Sequence, residues 1–296
     1  MKPESPRSPG LLIPILGGLV LATISFASPE NAPAIPPMPS MPNAAAAREL
    51  TGKVALVTGG TRNLGRGYAV GLARMGADVV VHHHLPADRS DAEVTARIVR
   101  EHGVRAHLVA GDLSRTETIQ RIFNETIDAF GRVDIVINNA GIIVKKPIAE
   151  ITEEEFDRVF AMNARGTFFM MQHAARRVSD DGRIINIGTS LTASFSPNYG
   201  LYAGSKASIE QFTRALAREI GHRGITVNCV SPGPVDTPFF RGPEAPEAVA
   251  RAATLAVAGR LGRPDDITPL VEFLASPRSQ WLTGQTIFIN GGYTGR

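Results

Sequence analysis

The chain has 296 residues, 43% of them hydrophobic and 20% charged, which supplies a buried core and excludes chain-wide disorder. Its 31 Lys and Arg against 28 Asp and Glu leave a net charge of +3, with no basic run and no interleaved aromatic stripe, so no nucleic-acid partner is expected. The single cysteine, Cys229, excludes an intramolecular disulfide framework and a multi-cysteine zinc site; beside a predicted strand it reads as core packing.

Lys2 and Arg7 precede an apolar run from Leu11 to Ala27, broken by Pro14, Gly17 and Gly18, with small residues at Ser25 and Ala27. A basic start, an apolar middle and a small-residue exit have the layout of a secretory signal. At 17 residues the run is also close to the minimum for a membrane span, so membrane association through residues 11–27 stays open. A third reading places it upstream of the true start, because Met38 and Met41 sit just before the domain. Residues 28–47 are rich in Pro and Ala and read as an extended, disordered linker. The folded domain is expected over residues 48–296.

Within it, apolar strands alternate with helical patterns. Strands are predicted at Val54–Val57, Asp78–Val81, Ala106–Val109, Val133–Ile137, Arg183–Ile187, Ile225–Val230 and Thr286–Ile289. Helical spacing runs over Leu64–Met75, Asp91–His102, Thr116–Phe130, Glu153–Val178 with a break near Gly166, and Ser205–Ile220. Phe239 to about Leu261 is polar, with Pro and Ala, and reads as a lid. Val- and Ile-rich strands between helices predict an α/β fold, a doubly wound parallel sheet with helices on both faces. Its ligand site is expected outside the carboxyl ends of the strands.

The first strand ends in Thr58-Gly59-Gly60-Thr61-Arg62-Asn63-Leu64-Gly65-Arg66-Gly67. A glycine-rich turn between strand and helix lets the backbone approach a pyrophosphate, while the helix amino end offers free N–H groups. Gly111-Asp112-Leu113 follows the third strand and Asn138-Asn139-Ala140-Gly141 the fourth. With these segments the chain resembles the short-chain dehydrogenase/reductase family from about Leu50 to Tyr293, which implies a single Rossmann-type domain. The resemblance implies cofactor contacts at Gly59, Thr61, Arg62, Asn63, Leu64 and Gly65, at Asp112 and Leu113 near the adenine, and at Asn139, Ala140 and Gly141. Asn63 stands where the family has its middle glycine. Asn is the residue after Gly that best tolerates a left-handed backbone, so the turn is expected to survive.

NAD-preferring relatives end the second strand with an acid that binds the ribose hydroxyls. Here that strand ends His82-His83-His84. Arg62 stands where NADPH-preferring relatives often carry a base, and a 2′-phosphate wants cationic or hydrogen-bond donor partners such as Arg62 and His83. NADPH (NADP) is therefore expected, with NAD as the alternative. Adjacent strand residues point to opposite faces, so the three histidines are not read as a metal site.

Tyr202-Ala203-Gly204-Ser205-Lys206 carries the family's Tyr-x-x-x-Lys. On a helix, this spacing puts both side chains on one face. A phenol has a pKa of about 10, and a nearby ammonium is expected to lower it. Tyr202 is then the general acid/base at the carbonyl, and Lys206 holds the nicotinamide ribose. The family places a hydroxyl residue shortly before this tyrosine. Ungapped spacing gives Thr189, and a one-residue shift gives Ser190. Asn163 matches the family asparagine whose main-chain carbonyl holds a relay water. In Ser231-Pro232-Gly233-Pro234-Val235-Asp236-Thr237-Pro238, the resemblance implies nicotinamide contacts from Pro232, Gly233, Val235 and Thr237.

The segment from Glu154 to Phe169 looks like that of ketoacyl carrier-protein reductases and polyhydroxynaphthalene reductases, and Tyr199 leans toward the latter. Phe195, Pro197, Tyr199, Phe239 and Phe240 suggest an apolar pocket for a small carbonyl or alcohol substrate. The resemblance implies a homotetramer packed through Glu153–Val178 and Ser205–Ile220. A cytoplasmic location is expected because NADPH is a cytoplasmic reagent; export or anchoring is the alternative. The rival functions are an NAD-linked alcohol or sugar dehydrogenase and a non-catalytic cofactor-binding scaffold.

Overall fold

The computed structural model describes residues 48–295; the signal-like run and linker expected over residues 1–47 lie outside the described residues. Among the described residues the strands are β1 (Val54–Val57), β2 (Asp78–His83), β3 (Ala106–Ala110), β4 (Ile135–Asn138), β5 (Arg183–Ile187), β6 (Thr226–Pro232) and β7 (Thr286–Ile289). They form one parallel sheet in the order β3-β2-β1-β4-β5-β6-β7. The order reverses between β1 and β4, where an open α/β sheet places its ligand cleft.

The helices are α1 (Asn63–Arg74), α2 (Arg89–Glu101), α3 (Thr116–Phe130), α4 (Glu153–Phe160), α5 (Thr167–Arg177), α6 (Gly200–Ile220), α7 (Pro238–Arg241), α8 (Pro246–Leu255) and α9 (Pro264–Ala275). Strand alternation explains why both faces are covered. Ala55, Val57, Val79, Val81, Ile135 and Ile137 point to one face and pack under Tyr68 and Leu72 of α1 and Val271 and Leu274 of α9. Val54, Leu56, Val80, Val136 and Ile184 point to the other, under Ile119 and Phe123 of α3, Met170 of α5 and Leu216 of α6. Cys229 is buried on β6.

Four elements depart from the pattern reading. Helix α6 begins at Gly200, five residues before the predicted start, so Tyr202 and Lys206 share one helix. The break near Gly166 is a π-helical turn over Ala161–Gly166 that joins α4 to α5 without ending the helix. The segment read as an irregular lid contains α7 and α8. Helix α9 was not predicted: Pro264 at its first turn and Pro269 within it mask the helical pattern, although its buried face is apolar.

Candidate active site

The carboxyl ends of β1 and β4 are tied together by Thr58 and Asn139. The Thr58 hydroxyl accepts the Asn139 and Ala140 N–H groups at 2.8 and 3.0 Å, and the Asn139 side-chain amide donates to the Thr58 and Gly59 carbonyls at 2.9 and 3.1 Å. Gly59 and Asn63 both have left-handed backbone, φ 59° and 50°, so the asparagine adopts the conformation for which a glycine was expected. Gly65 approaches so closely that a Cβ there would stand 2.0 Å from the Gly59 carbonyl oxygen. The N-cap of α1, Arg62, makes no side-chain capping bond, so the amino end of this helix lacks an internal acceptor. A turn of this geometry at a helix amino end can receive a pyrophosphate.

His82 holds this turn from beneath. Its Nδ1 accepts the Gly59 N–H at 3.1 Å, and its Nε2 donates to the Gly111 carbonyl at 2.8 Å. Burial pulls the ring pKa down to about 4, so it is neutral. The sequence reads the histidines only as a rejected metal set and, for His83, as a 2′-phosphate partner, so this role of His82 is not anticipated there; a polar residue inside an otherwise apolar strand is the available signal. His83 turns its Nδ1 to the Leu85 carbonyl at 3.0 Å and lines the cleft. Arg62 also lines the cleft, with its guanidinium 2.5 Å from Asp88 and 3.5 Å from Asp91.

One cavity of about 770 Å³ runs from this turn to α6, and it collects most of the predicted site residues. Gly59, Thr61, Arg62, Asn63, Leu64, Gly65, His83, Asn139, Ala140, Gly141, Thr189, Ser190, Tyr202, Lys206, Pro232, Gly233, Val235 and Thr237 all line it. So do the five residues expected to form an apolar pocket. Asp112 and Leu113 are not among its lining residues. The Asp112 carboxylate accepts the Ser114 N–H at 2.9 Å, and Leu113 is buried in the core beside α3.

Tyr202 and Lys206, one helical turn apart, are both buried and both reach the cavity. Burial pushes the phenol pKa up, and a hydrogen bond with Thr189 pulls the other way. The expected lowering by the lysine is not what this geometry gives. Burial brings the Lys206 ammonium itself down to about 8, and its Nζ donates to the Ile187 carbonyl at 2.8 Å. A raised phenol remains protonated at neutral pH, as a proton donor must.

The two candidate hydroxyls differ. Ser190 Oγ donates to the Ser231 carbonyl at 2.9 Å and accepts from Asn290 at 3.1 Å, so its single donor proton is already taken up by structure. Thr189 accepts only a long bond from the Leu191 N–H, 3.3 Å, and faces Tyr202. Asn163 lies behind the cavity in the π turn. Its side chain pairs with both backbone groups of Ile142 at 2.8 Å and donates to Ser205 at 3.0 Å, which pins the chain after β4 to α6.

A glycine turn at the sheet's switch point, opening onto a buried Tyr-Lys pair with a facing hydroxyl, has the layout that hydride transfer from a nicotinamide dinucleotide requires. A family model described as enoyl-(acyl carrier protein) reductase matches residues 59–294. The hydroxynaphthalene reductase-like protein Arp2 of Metarhizium majus is 42% identical over 259 residues, covering 83% of this chain and 96% of its own. Among solved structures, a dehydrogenase from Burkholderia cenocepacia with bound NADP superposes with TM-score 0.81 at 41% identity, covering 85% of this chain and 97% of its own. The angucycline C-6 ketoreductase LanV with bound NADP gives TM-score 0.78 at 36% identity, covering 83% and 96%. The chain belongs to the short-chain dehydrogenase/reductase family and is an NAD(P)-dependent oxidoreductase.

Proposed function

We propose that this protein reduces a ketone to a secondary alcohol with NADPH, using Tyr202 as the proton donor. The observation that carries the reading is the buried Tyr202 phenol, facing Thr189, in the same cavity as the glycine turn. Bound NADP in similar structures supports the choice of cofactor, as does the placement of Arg62 and His83 at the cleft.

When bound, the reduced nicotinamide supplies the hydride. The chain's own residues do the rest. Gly59, Thr61, Asn63, Leu64 and Gly65 receive the pyrophosphate, and Arg62 with His83 receives the 2′-phosphate. Asn139, Ala140 and Gly141 support the ribose side, while Pro232, Gly233, Val235 and Thr237 orient the nicotinamide. Thr189 donates to the substrate carbonyl and aligns it with Tyr202. Tyr202 gives its proton to the oxygen as negative charge develops there. Lys206 binds the ribose and passes a proton to Tyr202, and Asn163 at the π turn completes that relay with water. The substrate is a carbonyl compound with an apolar body, held by Phe195, Pro197, Tyr199, Phe239 and Phe240.

The same reading includes a homotetramer through α4, α5 and α6, where Phe156 and Phe168 stand 47% and 43% exposed. It also includes a cytoplasmic location, where NADPH is available. No helix among the described residues is long and apolar enough to cross a membrane.

A panel of ketones with NADPH, followed at the reduced nicotinamide absorbance band, tests activity and cofactor together. Tyr202→Phe is expected to lower kcat by roughly 10³-fold while leaving NADPH binding intact. Turnover that persists in Tyr202→Phe rules out this mechanism.

A further inference from the structure

The substrate end of the cavity contains an ion pair that the reaction above does not use. Glu244, in the segment between α7 and α8, places its Oε2 2.7 Å from Lys145 Nζ, in the run after β4. Tyr199, just before α6, donates its hydroxyl to Glu244 Oε1. The Glu244 side chain is 5% exposed and that of Lys145 20%. All three line the cavity that holds Tyr202, and the Tyr199 ring lies 6.5 Å from the Tyr202 ring.

An ammonium that faces a substrate pocket is a ready partner for a carboxylate. Here that partner is already supplied from within the chain. One internal carboxylate therefore joins the lid segment to the start of the catalytic helix and cancels a positive charge in the cavity that holds Tyr202. An anionic substrate would have to displace Glu244 or sit beside it unpaired, and a desolvated carboxylate without a counter-ion is strongly disfavoured. Nearby Phe239, Phe240 and Leu255 add apolar surface to the same cavity. Arg251 also lines it, but is solvent-exposed, where an ion pair contributes little.

We propose that Glu244 is a specificity-determining residue: its carboxylate fills the position in which an anionic substrate group would pair with Lys145, and so restricts the site to uncharged ketones. The proposal rests on the carbonyl reductase reading, and deepens it. Glu244→Gln keeps an acceptor for the Tyr199 hydroxyl and the side-chain shape, but leaves Lys145 without a counter-charge.

Benzoate and benzamide are shape-matched probes, and calorimetry on the full chain saturated with NADP reads their binding without turnover. The wild type is expected to prefer benzamide by at least tenfold. Glu244→Gln should move the benzoate-to-benzamide affinity ratio toward benzoate by about tenfold or more, and adding Lys145→Met should abolish that gain. Lys145→Met alone, which leaves an uncompensated carboxylate, should move the ratio further toward benzamide. It serves as the second variant if Glu244→Gln fails to fold. With benzoylformate and its ethyl ester as ketones, the kcat/KM ratio should shift in the same sense, chiefly through KM. A wild type that binds benzoate as well as benzamide overturns the proposal, as does a Glu244→Gln protein with no detectable benzoate binding or an unchanged ratio. Failure of the carbonyl reductase reading shows separately, as absence of ketone turnover with NADPH in the wild type.

Discussion

The two ends of the cavity are built by different means. At the cofactor end the contacts are made to the main chain: the Thr58 hydroxyl and the Asn139 side-chain amide bond to backbone groups at the tips of β1 and β4, and Gly65 packs onto the Gly59 carbonyl with no room for a side chain. At the substrate end, side chains from distant segments meet, with Lys145, Tyr199 and Glu244 separated by up to 99 residues. Backbone contacts dictate residue type over a few consecutive positions, and so produce motifs. Side-chain contacts can be supplied by many residue pairs, and so vary with the substrate.

The largest expected effect tests the rigid end. A Cβ at Gly65 overlaps the Gly59 carbonyl oxygen, a backbone atom that cannot swing aside, and would also stand 2.8 Å from the Asn139 side-chain amide. Gly65→Ala should therefore open the turn and weaken NADPH binding by roughly 100-fold or more, read by fluorescence titration, with a stability loss of about 1–3 kcal/mol. Binding within a fewfold of wild type would show that this end deforms as readily as the other.

The next effect separates two adjacent hydroxyls. Thr189→Ala should lower kcat by roughly 10²-fold with little change in melting temperature, because it removes a group facing Tyr202. Ser190→Ala leaves the Asn290 amide and the Ser231 carbonyl each one partner short, so it should cost about 1–2 kcal/mol of stability and less activity. The reverse pattern would assign the reaction to Ser190.

The cofactor end carries an acid-side pH effect through His82. His82 is neutral in the fold, held down to about 4, whereas an imidazole in the unfolded chain titrates near 6.5. Between these values the unfolded chain takes up a proton that the folded chain refuses. The His82 contribution to stability should be constant above about pH 6.5 and fall as the pH drops toward about 4, by on the order of 3 kcal/mol. Denaturant melts across that range read the slope. His82→Asn, which does not titrate, should flatten it; an unchanged slope would mean that other groups carry the acid sensitivity.

What could be read beforehand follows the same division. The strands were legible because they are continuous Val and Ile runs, and the glycine turn because only Gly and Asn accept its left-handed positions. Tyr202 and Lys206 were legible as a spacing, but the start of α6 was not: Gly200 and Gly204 weaken the helical pattern just where the pair sits. Helix α9 was hidden by its two prolines. The Thr189 and Ser190 ambiguity needed hydrogen-bond partners from residues 231 and 290, on β6 and just past β7, which no local window contains. Glu244 and Lys145 were individually unremarkable charges, and only their shared burial sets them apart.

The smallest expected effect concerns Arg62, where the cofactor end behaves like the substrate end. Its guanidinium is paired with Asp88 at 2.5 Å and Asp91 at 3.5 Å, so the group expected to receive a 2′-phosphate already has partners. The Arg62 side chain is 53% exposed, and an ion pair in that setting holds little energy against a dianionic phosphate. Exchange of partners should therefore cost little. Arg62→Ala should weaken NADPH by about tenfold and NADH hardly at all, the difference shrinking at high salt. Asp88→Asn should act in the opposite sense, tightening NADPH a fewfold by removing the competing carboxylate. Equal weakening of both cofactors by Arg62→Ala would place the guanidinium on the pyrophosphate instead, and leave His83 as the residue that distinguishes the two.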